Sequence, residues 1–409
     1  MYVDFELIKK ISKEYGDSFY LLDTRQFIFN WNELIDTFRN IYPETYIAYS
    51  YKTNYIPRLC KIVDELGGYA EVVSHMEYEI AKKVNVAPHK IHFNGPYKKP
   101  EAVHELLLSG GIINLDSTHE IPMIVNIAQN NPQVKLKIGI RCNFKINDAV
   151  ISRFGFDVTT PEFKEMLSYL KTFKNIQIEG MHCHFASRNL ETWKPRAEGM
   201  VNLLNNITHE IPNHIDLGGG LFGKMKNSLK KQFDSYIPSY KEYADEAATI
   251  IADNFRESVI KPKLFIEPGS ALVGDVMKFI AKVVSIKNIR GKNIATLLGS
   301  IYNINPTLNT KNPPISVLHD KDIDRRDYHD LDFAGYTCIE SDYLYKGYNG
   351  KLSEKDYVMF ENIGSYSIVL KPPFILPNFP VLEIVDDNII VIKHQEAFEN
   401  LFDTYEFDF

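Results

Sequence analysis

Lys52, in Tyr49-Ser50-Tyr51-Lys52-Thr53-Asn54, ends the first strongly apolar, strand-like run of the chain. A lysine at the C-terminal tip of a buried strand stands where a carbonyl can reach it. Once its ammonium loses a proton, its nitrogen is a nucleophile that forms a Schiff base. A solvated lysine after a strand has the same local sequence, so its companions decide. Gly218-Gly219-Gly220 follows the apolar run His214-Ile215-Asp216-Leu217. Three glycines expose backbone N–H groups and admit an anion closely, and a phosphate is the natural guest. Glu267-Pro268-Gly269 ends another such run. A carboxylate held inside a protein needs a cationic or hydrogen-bonding partner, which a protonated pyridine nitrogen would supply. His182-Cys183-His184 puts two imidazoles on one side of a strand. That spacing suits a metal, but no HExxH or clustered carboxylate completes a site, so no metal is expected. A His184 ring lying flat on a planar cofactor is the preferred reading, with Ser187 offering a hydroxyl to a phosphate. Each element has an ordinary structural explanation alone. Together, a Schiff-base lysine, a stacking ring, a phosphate cradle and a carboxylate for a ring nitrogen describe a site for pyridoxal phosphate (PLP).

These residues need a scaffold that brings them to one place. Eight apolar runs recur at Thr45 to Lys52, Tyr69 to Ser74, Lys90 to Gly95, Ile112 to Ser117, Lys135 to Cys142, Gln177 to Phe185, His214 to Gly220 and Lys263 to Gly269. Helix-like stretches with apolar residues at helical spacing separate several of them. Alternation of strand and helix predicts parallel strands with right-handed crossovers, and eight units predict an α/β fold, a (β/α)8 TIM barrel. The run tips carry Lys52, Ser74, Asn94, Asp116, Arg141, His184, Gly218–Gly220 and Glu267. In a barrel these converge on one mouth. After Gly269 the helices thin out and short β-like runs appear, such as Val276 to Ile286 and Tyr357 to Phe360. The expected division is a barrel over 30–275 and a mostly β domain formed by 1–29 with 276–409.

Composition narrows the classes. The net charge of −7 and the lack of any Lys/Arg-rich stretch argue against nucleic acid. No run of 18 apolar residues suggests a membrane span. Met1-Tyr2-Val3-Asp4 carries an acid where a signal peptide has its basic region. Cys60, Cys142, Cys183 and Cys338 are far apart and form no CxxC pair, which fits reduced thiols. A cytoplasmic location is expected.

The motifs follow one another in a particular order. Tyr51-Lys52-Thr53-Asn54 comes first, then Glu71-Val72-Val73-Ser74 with Glu77, Ile91-His92-Phe93-Asn94-Gly95-Pro96 and Leu115-Asp116-Ser117. Arg141, Ser152-Arg153-Phe154-Gly155 and Gly180 to Ser187 follow, then Asp216 to Gly220 and Glu267-Pro268-Gly269. Gly335 to Asp342, which holds Cys338, and Gly364-Ser365-Tyr366 lie in the second domain. In these the chain resembles, over nearly its whole length, the PLP-dependent decarboxylases of the alanine-racemase-like fold, the group of diaminopimelate and ornithine decarboxylases. The resemblance implies a C-terminal domain like that of alanine racemase. It implies that Lys52 carries the cofactor, His184 stacks on its ring, and Glu267 holds the pyridine nitrogen. Ser187, Gly218, Gly219, Gly220, Gly269 and Tyr366 would bind the cofactor around its phosphate. Arg141, Glu340 and Asp342 would face an amino-acid substrate. Cys338 would reach the active site of the other subunit of a homodimer with shared sites. The implied reaction is α-decarboxylation through an external aldimine and a quinonoid, with Cys338 or Lys52 returning a proton to Cα.

Two departures bear on substrate. The family's Glu-Pro-Gly-Arg reads Glu-Pro-Gly-Ser270 here, and Asn305 and Asn309 stand where diaminopimelate decarboxylases have an arginine and a tyrosine for the distal end of the substrate. A dianionic tail needs bidentate arginine contacts, so a different substrate is expected. Ile339 also stands where an acidic residue usually follows the cysteine. An amino-acid racemase on this fold and a non-catalytic PLP-binding protein are the alternatives. Racemases resemble this barrel but put an arginine on the ring nitrogen, and the carriers lack a second domain.

Overall fold

Strand β1 (Ser18–Leu22) is buried along its whole length and precedes the barrel in the chain. Eight strands then form a closed parallel barrel in the computed structural model, which describes residues 3–305, 307 and 311–409. They are β2 (Thr45–Ser50), β3 (Tyr69–Val72), β4 (Ile91–Phe93), β5 (Ile112–Leu115), β6 (Leu136–Asn143), β8 (Ile176–His182), β9 (His214–Asp216) and β10 (Lys263–Ile266), with the two-residue β7 (Phe156–Asp157) attached to β6. Pairing runs from β5 through β4, β3, β2, β10, β9 and β8 to β6, and β5–β6 closes the ring. All eight coincide with the apolar runs read from the sequence. They read as near-continuous apolar runs because strands of a parallel barrel are covered on both faces.

The chain divides into two compact units, one of Ile28–Phe222 and Ser235–Ala271, the other of Met1–Phe27, Gly223–Asp234 and Leu272–Phe409. The first holds the barrel. The second is built on a nine-stranded sheet of β1, β11 (Met277–Ile289), β12 (Lys292–Leu297), β13 (Ile315–Leu318), β14 (Arg326–Ala334), β15 (Tyr343–Leu352), β16 (Tyr357–Phe360), β17 (Val381–Val385) and β18 (Asn388–Lys393), in which β1 pairs antiparallel with β11 and parallel with β17. Phe19, Leu21, Ile280, Met359 and Leu382 form part of its core with Ile8 and Ile11 of the first helix. Strands β14 (Arg326–Ala334) and β15 (Tyr343–Leu352) were not anticipated. The first half of β14 and scattered positions of β15 are polar and exposed, so no apolar run marks them.

Candidate active site

The C-terminal tips of β2, β3, β4, β8, β9 and β10 converge in one hydrogen-bonded network. Lys52 lies in the single turn Tyr51–Thr53 that follows β2, and its side chain is about a third exposed, at 34%. Its Nζ donates to Glu71 Oε2 at 2.5 Å. Glu71 is buried at the end of β3 and also accepts from Ser50 Oγ at 2.5 Å and from Asn94 Nδ2 at 3.1 Å. Asn94 Nδ2 donates at 2.5 Å to Glu267 Oε1, and Asn94 Oδ1 accepts from Asn114 at 2.6 Å. Lys52, Glu71, Asn94 and Glu267 therefore form one chain of contacts across the barrel mouth.

Glu267 is buried, with His182 Nε2 3.4 Å from its Oε2. Burial by itself would raise its pKa. The charge and hydrogen bond of His182, with Lys52 and His184 nearby, outweigh that and hold it well below the ordinary carboxylate range. Asp216 sits beside it, and burial followed by the Glu267 charge pushes its pKa well up. The pair thus holds a single negative charge, on Glu267. His182, Asp216 and Glu267 present ligand atoms within 4.8 Å of one another. Glu267 is already hydrogen-bonded on both oxygens.

The expectation that His182 and His184 point the same way does not hold as stated. Strand β8 ends at His182, so strict alternation stops there. His182 turns to Glu267, whereas His184 Nδ1 accepts the Gly219 N–H at 2.9 Å. With Nδ1 accepting, the His184 proton belongs on Nε2. Burial, then the charge of Lys52, lowers its pKa well below the usual value, so the ring is neutral.

The glycine run is required by contact. A Cβ on Gly218 would lie 2.5 Å from the Cys183 carbonyl oxygen, one on Gly219 would lie 2.4 Å from that of Glu267, and one on Gly220 would lie 2.4 Å from that of Ser187. Gly218 and Gly220 also hold φ of +70° and +97°. Gly269 packs on Thr53, next to Lys52. This tight cradle, beside a lysine and a neutral ring, fits PLP: Lys52 would hold it covalently, Gly218–Gly220 and Ser187 would enclose its phosphate while the Gly218 and Gly219 N–H groups stay on Asp216 and His184, and Glu267 would hold its ring nitrogen.

Two residues have roles that the sequence did not assign. Arg196 is fully buried and donates to the carbonyls of Gly219 at 2.6 Å, Ser187 at 2.8 Å and Phe185 at 3.0 Å, fixing both loops of the cradle. It lies in the helix Trp193–Leu203, and no local motif marks it. Glu71 is the acid inside the apolar run Tyr69–Ser74, and that placement is its signal in the sequence.

Two of the three residues assigned to substrate are held by protein partners. Arg141 is buried, with Nη1 3.3 Å from Asp116 and Nη2 3.4 Å from the His184 carbonyl, so its fork is turned to protein. Asp342 is a correction. Its Oδ1 accepts from Ser300 Oγ and the Ile301 N–H at 3.0 and 2.7 Å, and its Oδ2 accepts from Thr337 Oγ1 at 2.6 Å. That buried carboxylate organises its own loop. Glu340 is exposed, as is Cys338. Tyr366 is half-buried with φ of +59°, immediately before the short helix Ser367–Leu370. Asn309 lies outside the described residues. Among the described residues no helix is long and apolar enough to cross a membrane.

Glu77 supports the network from below. Its Oε2 accepts the Val73 N–H at 2.8 Å while its own N–H reaches Ser74 Oγ at 3.2 Å. Burial, then the Glu71 charge, raises its pKa from 4.5 to about 7. The folded protein therefore binds this proton more tightly than the unfolded chain. The stability it contributes is full below pH 4.5 and is lost as pH rises through about 7. Glu77→Gln is expected to remove this slope, on the order of 2–3 kcal/mol, in denaturant unfolding compared across that range. Parallel profiles for the two proteins would contradict it.

A (β/α)8 barrel with this mouth, joined to a β unit, defines a class. Residues 30–274 match the family model described as pyridoxal-dependent decarboxylase, pyridoxal binding domain. The chain belongs to that family: it is a PLP-dependent amino-acid decarboxylase, a carboxy-lyase. Among its relatives, it is 26% identical over 307 residues to the diaminopimelate decarboxylase of Aquifex aeolicus (72% of this chain, 69% of the other). It is 23% identical over 418 residues to that of Haemophilus influenzae (98% of this chain, 96% of the other). The fold is similar to the crystal structure of diaminopimelate decarboxylase from M. jannaschii, with a TM-score of 0.86 and 22% identity over 97% of this chain and 94% of that one. It is also similar to the lysine/ornithine decarboxylase from Vibrio vulnificus complexed with putrescine, with a TM-score of 0.75 and 15% identity over 94% and 98% of the two chains.

Proposed function

We propose that this decarboxylase acts on an amino acid or amino-acid derivative other than diaminopimelate, as a homodimer with shared active sites. The observation that carries the substrate reading is Asn305, which stands where diaminopimelate decarboxylases have an arginine for the distal end of the substrate. An arginine at such a position would pair with a distal carboxylate through two parallel hydrogen bonds; an asparagine amide cannot replace that charge. Bound PLP supplies an electron sink for the pair of electrons left when the α-carboxylate departs. In this reading Lys52 Nζ would hold the cofactor, with Glu71 as its hydrogen-bond partner and Ser50 on the same carboxylate. Glu267, kept ionised by His182, would hold a proton on the ring nitrogen. The neutral His184 would meet the ring, and Arg196 keeps the cradle closed. Cys338 of a second copy would return a proton to Cα; its exposure supports that role.

The substrate reading is tested by CO2 release from a panel of diaminopimelate, lysine, ornithine and N-substituted diamino acids. Diaminopimelate is expected to lag the best substrate by roughly 100-fold in kcat/KM, the scale set by one lost charge-assisted contact pair. Diaminopimelate as the best substrate would end it. The dimer is tested by mixing inactive Lys52→Ala and Cys338→Ala chains. Mixed dimers carry one intact site in two, so about a quarter of wild-type activity should return; none would show that sites are not shared.

A further inference from the structure

Arg188 stands directly after Ser187 on the loop leaving β8, and its side chain is tethered twice. Its Nη2 donates to Ser270 Oγ at 3.1 Å, and its guanidinium lies 5.5 Å from the centroid of the Phe222 ring. Its backbone carbonyl accepts the Tyr243 hydroxyl at 2.5 Å, which pins the loop itself. Ser270 follows Gly269, and Phe222 comes two residues after Gly220. The two tethers therefore flank the glycine cradle. Among the described residues no carboxylate pairs with Arg188.

The cradle has need of such a cation. A phosphate monoester carries between one and two negative charges near neutral pH. The Gly219 N–H is taken by His184, and the guanidinium of Arg196 is turned onto three backbone carbonyls. Lys52 is paired with Glu71 and Arg141 with Asp116. What remains in the cradle is neutral donors, with Arg188 at its rim.

We infer that Arg188 is the phosphate-binding cation of this site and stands in for the arginine that position 270 lacks. It is a cofactor-positioning residue that reaches from the loop after β8, past the tip of β9, to the place Ser270 leaves open. A planar guanidinium suits this because it can give two parallel hydrogen bonds to phosphate oxygens while its other edge stays on the serine. This rests on the reading of the barrel mouth as the PLP site.

The test is PLP affinity, with PLP removed from the holoenzyme by dialysis and titrated back while tryptophan fluorescence is followed. Arg188→Ala is expected to weaken PLP by about 10- to 100-fold. Adding Ser270→Arg to that variant should restore affinity to within about threefold of wild type. Pyridoxal, which has no phosphate, should bind wild type and Arg188→Ala alike. Unchanged PLP affinity in Arg188→Ala, an equal loss with pyridoxal, or no restoration by Ser270→Arg would each overturn the inference. Unchanged PLP affinity with a raised KM would place the guanidinium on the substrate instead. A wild-type protein that takes up no PLP at all would overturn the cofactor site itself, a separate failure.

Discussion

Lys52→Ala is expected to lose the covalent link to PLP and to lower turnover by roughly 10,000-fold or more, the scale seen when the covalent group of an enzyme is removed. Lys52 Nζ is the proposed nucleophile, and its neighbours show why it can be removed without collapse. Glu71, its partner at 2.5 Å, keeps Ser50 Oγ and Asn94 Nδ2 as donors, so the buried carboxylate is not stranded. The loss of stability should be limited to about 1–3 kcal/mol, the range for one hydrogen bond to a charged group. Borohydride reduction followed by peptide mapping should find the cofactor on Lys52 in the wild type and on no lysine in the variant. An adduct on another lysine, or turnover within tenfold of wild type, would remove Lys52 from its role.

Glu267→Gln should leave the cofactor bound to Lys52 yet cut kcat by roughly 100- to 1,000-fold, the size of effect produced by removing one preorganised electrostatic partner. The amide keeps the shape and can still accept from Asn94, so KM should change little. What it loses is the single negative charge of the Glu267–Asp216 pair. His182 and Lys52 hold that charge on Glu267 against the cost of burial, and Asp216 keeps the proton. Without it, the ring nitrogen has no fixed anion and the electron sink weakens. The discriminating measurement is the split between kcat and KM in a holoenzyme whose visible absorption is intact. A variant with near-normal kcat would show that the pyridine nitrogen does not depend on this carboxylate.

Much of the barrel is legible from the chain because each strand is covered on both faces and therefore reads as an apolar run. The polar residue that ends each run marks the mouth, which is how Lys52, Asn94, Arg141 and Glu267 stand out. The β unit is less legible. The first five residues of β14, Arg326 to Asp330, are polar and mostly exposed, and β15 scatters exposed Lys346, Asn349 and Lys351 among its other residues, so neither length nor apolarity separates them from loops. Within the site, the acid at Glu71 does not by itself name its partner, and no local motif marks Arg196. Their significance lies in partners 19 and 23 residues away in sequence, Lys52 and Gly219 respectively. Asp342 misled for the opposite reason: an acid inside a recognisable motif looks like a ligand contact until its four hydrogen-bond donors are seen.

Lys52 at a strand tip, three glycines after β9 and Glu267 after β10 were determined by the sequence alone. Their residue types dictate nucleophilic, anion-cradling and charge-holding chemistry wherever the barrel closes. Only the tertiary structure decided which of these groups touch. The ionisation of Glu267 depends on His182 from β8, the orientation of His184 on the Gly219 N–H, and the anchorage of Arg188 on a hydroxyl 82 positions away. The physical reason is that charge and hydrogen-bond energies fall off over a few ångströms. They are set by neighbours in space, which a barrel draws from eight separate stretches of chain.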